Sequence, residues 1–227
     1  MAGNIVRDVD DVVKIRHVLC SVSDKTGLEN LIPALVEVNP GVRIFSTGGT
    51  FDTLKKILAE RAAKNLTQVS DYTGQPETQG GLVKTLDFKI YLGLLTETYN
   101  PSHQRDLERT QAVALDLVVV NLYPFKQTIA KRDVTVEMAR ANIDIGGPCM
   151  IRASAKNYLR VAPVVDPADY PKLVEQLRKT GGSLDLATRF ELARKAFAHT
   201  AEYDTTIAKF LGRLEPEAVR GCYDVKG

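Results

Sequence analysis

Short apolar runs alternate with helical stripes of apolar residues through the first third of the chain. Continuous apolar runs with strand character lie at His17–Val22, Val42–Ser46 and Leu66–Val69. Between these runs, apolar residues recur at steps of three and four, which is the spacing of one helix face. Strand–loop–helix units in series predict an α/β fold, with a doubly wound, mostly parallel sheet and helices on both faces.

The later part of the chain extends this sheet and then becomes helical. Leu115–Val120 gives the strongest strand signal because it is continuous and rich in β-branched residues. Val161–Val165 predicts a further strand, and its Pro163 favours an edge position. The stripe over Asp185–Leu211 predicts one long helix or two, added after the sheet. Short helices are predicted over Ile90–Leu95, Gln104–Thr110 and Thr135–Asn142.

The two ends of the chain lack these patterns. We predict a flexible amino-terminal extension over residues 1–15, one domain over residues 16–211 and a loose tail over residues 212–227.

Composition narrows the class of protein. Hydrophobic residues make up 44% of the 227 residues and charged residues 26%, which is typical of a globular protein. A net charge of +2 and the absence of tryptophan argue against a nucleic-acid partner. No apolar run is long enough to predict a membrane span, and the amino terminus lacks the apolar core of a signal peptide. The three cysteines and three histidines are scattered, which predicts reduced thiols, a cytoplasmic location and no metal site.

Two small polar loops follow the first two predicted strands. They share hydroxyls, glycines and lysine at helix starts, where backbone N–H groups are unpaired, and this suits a phosphate monoester. Ordinary helix caps would give the same pattern, and neither loop is a Walker or GxGxxG motif. The residues are Ser23, Lys25, Thr26, Thr47, Gly48, Gly49 and Thr50.

The stretch Asn142–Asn157 carries candidate chemistry. Asp144 precedes two glycines and a proline, and Lys156 lies about two and a half turns into the helix that follows. A carboxylate and a lysine near one helix start can transfer protons on a polar substrate, although a strand–turn–helix corner with two surface charges would show the same spacing. Lys84 and Tyr123 are further candidates because they lie near the same predicted sheet edge.

Eight segments in order carry a family resemblance. They are Ser21–Gly27, Ser46–Thr50, Val69–Gly74, Val83–Leu86, Asn121–Phe125, Ile143–Pro148, Arg152–Asn157 and Ala196–Asp204. From about residue 16 to about residue 211, the chain resembles the inosine monophosphate (IMP) cyclohydrolase domain of bifunctional purine-biosynthesis proteins, which also carry an aminoimidazolecarboxamide ribonucleotide (AICAR) transformylase domain.

The resemblance implies a fold, a reaction and partners. The fold is methylglyoxal-synthase-like. The reaction, of the cyclic amidine hydrolase class, closes the ring of 5-formamidoimidazole-4-carboxamide ribonucleotide (FAICAR) to IMP with loss of water, the last step of de novo purine synthesis. It uses no cofactor and no metal. The implied partners are the nucleotide, a second copy in a homodimer and a transformylase on another chain or in a longer protein, because this chain ends where the family's linker begins.

The resemblance also implies site residues. Lys156 with Asp144 would handle proton transfer and oxyanion support, and Lys84 with Tyr123 would handle the carboxamide side. The catalytic set is Lys84, Tyr123, Asp144 and Lys156. The nucleotide-binding set is Ser23, Asp24, Lys25, Thr26, Thr47, Gly48, Gly49, Thr50, Thr85, Asn121, Ile145 and Gly146.

Four positions depart from the family pattern. Leu82 replaces an arginine that contacts the nucleotide, Asp87 and Phe88 replace a His-Pro pair, and Tyr91 replaces a histidine. Asp87 is expected near Lys84, whose pKa it would raise. These departures keep a second interpretation open, a non-catalytic regulatory module that binds a purine nucleotide. A third interpretation, methylglyoxal synthase, is disfavoured because that enzyme relies on histidines near its site, whereas the three histidines of this chain are scattered in sequence.

Overall fold

A computed structural model describes residues 5–75 and 84–226 of the chain. Its strands are β1 (Val12–Lys14), β2 (His17–Val22), β3 (Arg43–Ser46), β4 (Leu66–Gln68), β5 (Leu117–Asn121), β6 (Ala162–Val164) and β7 (Ser183–Asp185). Its helices are α1 (Leu28–Val38), α2 (Gly48–Leu58), α3 (Ala62–Asn65), α4 (Val69–Thr73), α5 (Phe88–Leu95), α6 (Pro101–Thr110), α7 (Phe125–Ile129), α8 (Val136–Ala141), α9 (Gly146–Lys156), α10 (Tyr170–Lys179), α11 (Leu186–Leu211) and α12 (Pro216–Arg220).

The five strands β2 to β6 form one parallel sheet in the order β4-β3-β2-β5-β6. The predicted doubly wound α/β fold is therefore confirmed. Cys20 on the central strand pairs with Ser46 on one side and Val119 on the other. β6 lies at an edge, as its proline predicts, because proline has no N–H for a second neighbour.

Alternate residues of the central strands enter two separate cores. Val18 and Cys20 pack on one face of the sheet with residues of α1, α2 and α10. Leu19 and Val118 pack on the other face with residues of α5, α9 and α11. Helices cover both faces of the sheet. The loops that connect its strands to the helices, with their exposed side chains and N–H groups, therefore lie at the ends of the strands.

The last residues of the amino-terminal segment pack against the sheet and its helices. β1 pairs antiparallel with β7, and Ile15 is buried in the core beside β2. The fully buried Arg189 of α11 donates to the backbone carbonyls of Asp10 and Asp11. The prediction of a flexible extension over residues 1–15 is therefore wrong from residue 10 onward.

The carboxyl-terminal helices also have defined bounds. Asp185 caps α11 by accepting a hydrogen bond from the Thr188 N–H at 2.7 Å, and the helix continues unbroken to Leu211. The tail predicted as loose contains the exposed helix α12, and the Tyr223 hydroxyl donates to Glu137 of α8. Across residues 5–75 and 84–226, every helix is too short or too polar to cross a membrane.

Candidate functional site

The carboxyl ends of β2, β3 and β5 open into one cleft of about 480 Å³. Its walls are the loops that follow these strands, the start of α9 and the segment before α5. The predicted residues that line it are Ser23, Lys25, Thr47, Gly48, Gly49, Thr50, Lys84, Thr85, Asn121, Tyr123, Asp144, Ile145 and Gly146. Three predicted residues do not line it: Asp24, Thr26 and Lys156.

Asn121, the last residue of β5, fixes the loop after β2. Its Oδ1 accepts hydrogen bonds from the Ser23 N–H at 2.7 Å and the Asp24 N–H at 2.8 Å. Its Nδ2 donates to the Asp24 carbonyl at 2.8 Å. Within that loop, the side chain and backbone of Thr26 donate to Asp24 and hold the pKa of this carboxyl below its usual value. Asp24 and Thr26 therefore shape the loop from its solvent side.

The start of α2 is a candidate anion site. Buried Thr50 ties it to β2 by accepting from the Val22 N–H at 3.1 Å and donating to the Val22 carbonyl at 3.0 Å. The side chain of the cap residue, Thr47, makes no capping hydrogen bond to the described backbone. Thr47 therefore does not occupy the first N–H groups of this 11-residue helix, and groups of this kind bind anions at helix starts. Gly48 has φ +48°, a left-handed conformation that favours glycine.

Two ammonium groups lie close to this helix start. The Lys84 Nζ is 3.7 Å from the place where a Cβ on Gly48 would stand. The Lys25 Nζ donates to the Ser23 carbonyl at 3.3 Å and also lines the cleft. Positive charge and helix N–H groups together suit a phosphate monoester.

The start of α9 forms the opposite wall. The Asp144 Oδ1 accepts from the Gly147 N–H at 2.9 Å, which caps the helix and holds the carboxylate at the cleft. A Cβ on Gly147 would lie 2.5 Å from Leu122 Cδ2, and one on Gly146 would lie 2.7 Å from Thr85 Oγ1. A side chain at either glycine would therefore displace a protein neighbour of α9.

Tyr123 stands at the rim of the cleft. Pro124, with φ −77° and ψ 64°, forms an inverse γ-turn in which the Phe125 N–H donates to the Tyr123 carbonyl at 2.8 Å. Phe125 is buried and anchors the turn, whereas 54% of Tyr123 is exposed. The phenol can therefore reach a ligand in the cleft without first breaking a packed contact.

Lys156 lies away from this cleft within one protomer. It is exposed in the last turn of α9, ten residues beyond Gly146. A rise of about 1.5 Å per residue puts its Cα about 15 Å along the axis from the helix start. The expectation that Asp144 and Lys156 meet near one helix start is wrong for a single copy of the chain.

Three of the four positions that depart from the family pattern lie within the described residues, and they differ in their burial and contacts. Leu82 falls outside the described residues. Asp87 is a buried cap whose Oδ1 accepts from the Lys89 N–H at 2.7 Å at the start of α5. Phe88 follows it as an exposed side chain, and burial raises the pKa of Tyr91.

A larger groove, of about 640 Å³, lies between α10 and α11. Its Lys195 pairs with Asp169 at 2.8 Å, and none of the predicted site residues lines the groove. Within residues 5–75 and 84–226, no group of three or more His, Cys, Asp or Glu could hold a metal ion. The smaller cleft is therefore the candidate site, because it lies where β2, β3 and β5 end and gathers most of the predicted site residues.

Sequence reasoning missed one residue behind the cleft. The Tyr203 hydroxyl of α11 accepts a hydrogen bond from the Asp144 N–H at 2.8 Å. Tyr203 belongs to the Ala196–Asp204 segment of the family resemblance, so that segment could have indicated a role for it at the site.

Comparisons with known proteins agree with the fold. Residues 27–149 match the family model of the MGS-like domain, and residues 154–225 match that of the AICARFT/IMPCHase bienzyme. The chain is 46% identical over 204 residues to the bifunctional purine biosynthesis protein PurH of Synechococcus sp. (strain CC9605). This alignment covers 90% of the chain but only 38% of that relative. The crystal structure of ForH is similar with a TM-score of 0.72 and 31% identity, covering 87% of this chain and 99% of ForH.

Proposed function

The chain belongs to the MGS-like domain family, and from this premise we propose that it is an IMP cyclohydrolase acting on FAICAR. The observation that carries the proposal is the cleft, which gathers Lys84, Tyr123 and Asp144 beside a candidate phosphate site. The 46% identity to a purine biosynthesis protein supports the same reaction. The proposal places the protein in the cytoplasm and needs a transformylase, on another chain or in a longer protein, to supply FAICAR.

The phosphate end of the nucleotide is assigned to the start of α2. The first N–H groups of α2, which Thr47 does not cap, would hold the 5′-phosphate together with the ammonium groups of Lys25 and Lys84. The imidazole ring would then extend toward Asp144 and Tyr123 on the opposite wall.

Ring closure needs groups that move two protons. The carboxamide nitrogen attacks the formyl carbon and loses one proton, and the formyl oxygen becomes a hydroxyl. This hydroxyl leaves as water together with the proton of the formamido nitrogen, which forms the ring C=N bond. We assign the first proton to Asp144 and support of the developing oxyanion to the Tyr123 hydroxyl. Binding both arms of the substrate in one cleft supplies the reactive geometry.

The assay is the absorbance change as FAICAR becomes IMP. Asp144→Asn should lower kcat by about 100-fold or more, because proton transfer is lost, while IMP affinity stays within threefold. The matched control is Asp52→Asn on the exposed side of α2, which should keep the wild-type rate. Wild-type protein that binds IMP without turnover would instead establish the non-catalytic nucleotide-binding module.

That second candidate is favoured by one observation, the distance of Lys156 from the cleft within one protomer. A site that lacks one of its four implied catalytic residues can still bind the nucleotide. Turnover of a triose phosphate, measured in parallel, would support the methylglyoxal synthase interpretation and oppose both others.

We also propose a homodimer in which Lys156 of one copy completes the cleft of the other. Lys156 is exposed on α9, next to an α11 surface that presents Phe190 and Phe197, with Arg152 over the Phe197 ring at 5.7 Å. Exposed aromatic residues beside an arginine are typical of protein interfaces.

Mixing two inactive variants tests this arrangement. After subunit exchange between Asp144→Asn and Lys156→Ala proteins, half of the dimers are mixed, and each mixed dimer has one intact cleft if Lys156 acts across the interface. About a quarter of the wild-type activity should return. No recovery with a confirmed dimer, or a Lys156→Ala protein of normal rate, would contradict the proposal.

A further inference from the structure

The Tyr203 hydroxyl holds the back of the turn that carries Asp144. It accepts a hydrogen bond from the Asp144 N–H at 2.8 Å and donates one to the Asn142 carbonyl at 3.4 Å. The turn joins α8 to α9, so its main chain is outside regular helix at the point where the carboxylate enters the cleft. Tyr203 is half-buried, and desolvation raises the pKa of its phenol, which keeps the hydroxyl protonated.

The direction of the Asp144 carboxylate depends on this turn. Its Oδ1 is engaged by the Gly147 N–H, so a shift of the Asp144 main chain would move the carboxylate relative to α9 or break its cap. The Tyr203 ring also packs edge-on against Phe125, with centroids 6.2 Å apart. Phe125 closes the γ-turn that presents Tyr123. One side chain therefore braces the turns of both Asp144 and Tyr123 from behind the cleft.

We propose that Tyr203 is a positioning residue that sets the orientation of Asp144 for proton transfer. The proposal rests on the cyclohydrolase function proposed above. Tyr203 is not among the residues that line the cleft, so it acts through Asp144 and not on the substrate. Misplacement of a reacting group by a fraction of an ångström lowers the catalytic rate more than it lowers binding of the ligand.

The test variant is Tyr203→Phe, which keeps the ring against Phe125 and removes only the hydroxyl. The matched control is Tyr72→Phe, because the Tyr72 hydroxyl also accepts a backbone N–H, that of Val113 at 2.8 Å, and lies outside the cleft. Each variant loses one hydrogen bond of 2.8 Å from a backbone N–H, and Tyr203→Phe also loses the longer bond of 3.4 Å to the Asn142 carbonyl, so their thermal stabilities should fall by similar amounts. Only Tyr203→Phe should lower kcat, by about tenfold, with KM for FAICAR within about twofold.

A second readout does not depend on activity. Amide hydrogen exchange of the peptide spanning residues 142–147, followed by mass spectrometry, should be about tenfold faster in Tyr203→Phe and unchanged in Tyr72→Phe. Unchanged exchange in Tyr203→Phe would overturn the positioning role, as would an equal loss of kcat in both variants. If wild-type protein shows no turnover, the cyclohydrolase proposal and with it the catalytic role of Tyr203 fail, while faster exchange would still support its hold on the Asp144 turn.

Discussion

A single amide side chain decides which backbone groups of the cleft can meet an anion. Asn121 takes the N–H groups of Ser23 and Asp24, so these donors are engaged within the protein. The N–H groups at the start of α2 are not engaged by the Thr47 side chain, and we propose that they and the lysines bind the phosphate. The sequence predicted the loop after β2 as a binding loop, but it could not show that an amide 97 residues or more away fills the loop's own donors.

Asn121→Ala should weaken IMP binding by about tenfold or more, because the Ser23–Asp24 segment loses its anchor. The free energy of unfolding should fall by about 1–3 kcal/mol, because three hydrogen bonds between part-buried or exposed groups are lost together. Isothermal titration with IMP and chemical denaturation measure the two effects.

The control for this change is Asn65→Ala. Asn65 also uses its amide to bridge backbone, donating to the Pro40 and Val42 carbonyls, and it is outside the cleft. It should lose comparable stability with unchanged IMP affinity. Equal losses of affinity in both variants would show that Asn121 matters only through overall stability.

At the scale of elements, α9 shows what a spacing can and cannot predict. Pro148 and the apolar steps after it predict a helix, and α9 follows as expected. The partners of its glycines could not be predicted, because Thr85 reaches Gly146 from about sixty residues earlier in the sequence. The position of Lys156 could have been predicted, because ten helical residues separate it from Gly146 by about 15 Å. The family resemblance implies that residues at both ends of α9 belong to one site, but it does not say whether they come from the same copy of the chain.

Gly147→Ala should damage this element. Its methyl group would meet Leu122 at 2.5 Å and the Asp144 carboxylate at 2.7 Å, so one of them must move. Overpacking of this kind costs about 1–3 kcal/mol of unfolding free energy, and displacement of Asp144 should lower kcat by at least about tenfold.

Gly49→Ala, at the start of α2, is the control for the stability change in Gly147→Ala. A Cβ on Gly49 meets no atom within 4 Å, and its φ is not in the left-handed region. This variant should gain up to about 1 kcal/mol of stability from helix propensity. Thermal and urea unfolding of both proteins would contradict the packing argument if Gly147→Ala were as stable as Gly49→Ala.

At the scale of the whole molecule, long elements were predicted well and short contacts between distant segments were not. The apolar runs that became β2, β3 and β5 are continuous and β-branched, so their pattern alone predicts a buried parallel sheet. β1 and β7 have three residues each, too few to show a period, and they pair across about 170 residues of sequence. The sequence likewise gave no sign that the charged Arg189 faces inward, because four of its five hydrogen bonds end on backbone carbonyls 30 or more residues away.

Arg189→Met tests whether this buried guanidinium holds residues 10 and 11 against α11 and the neighbouring segments. The guanidinium donates to the carbonyls of Asp10, Asp11, Tyr158, Leu159 and Leu184. Methionine fills similar space but leaves these acceptors unpaired, so the unfolding free energy should fall by about 3 kcal/mol or more, which lowers Tm by about 6–12 °C for a chain of this size. Arg194→Met on the same helix removes an exposed pair with Glu191 and should change stability by less than about 0.5 kcal/mol. A loss below about 1 kcal/mol in Arg189→Met would mean that Arg189 does not hold residues 10–11 on the rest of the chain. Cleavage by a protease near these residues should then be as rapid in wild type as in the variant.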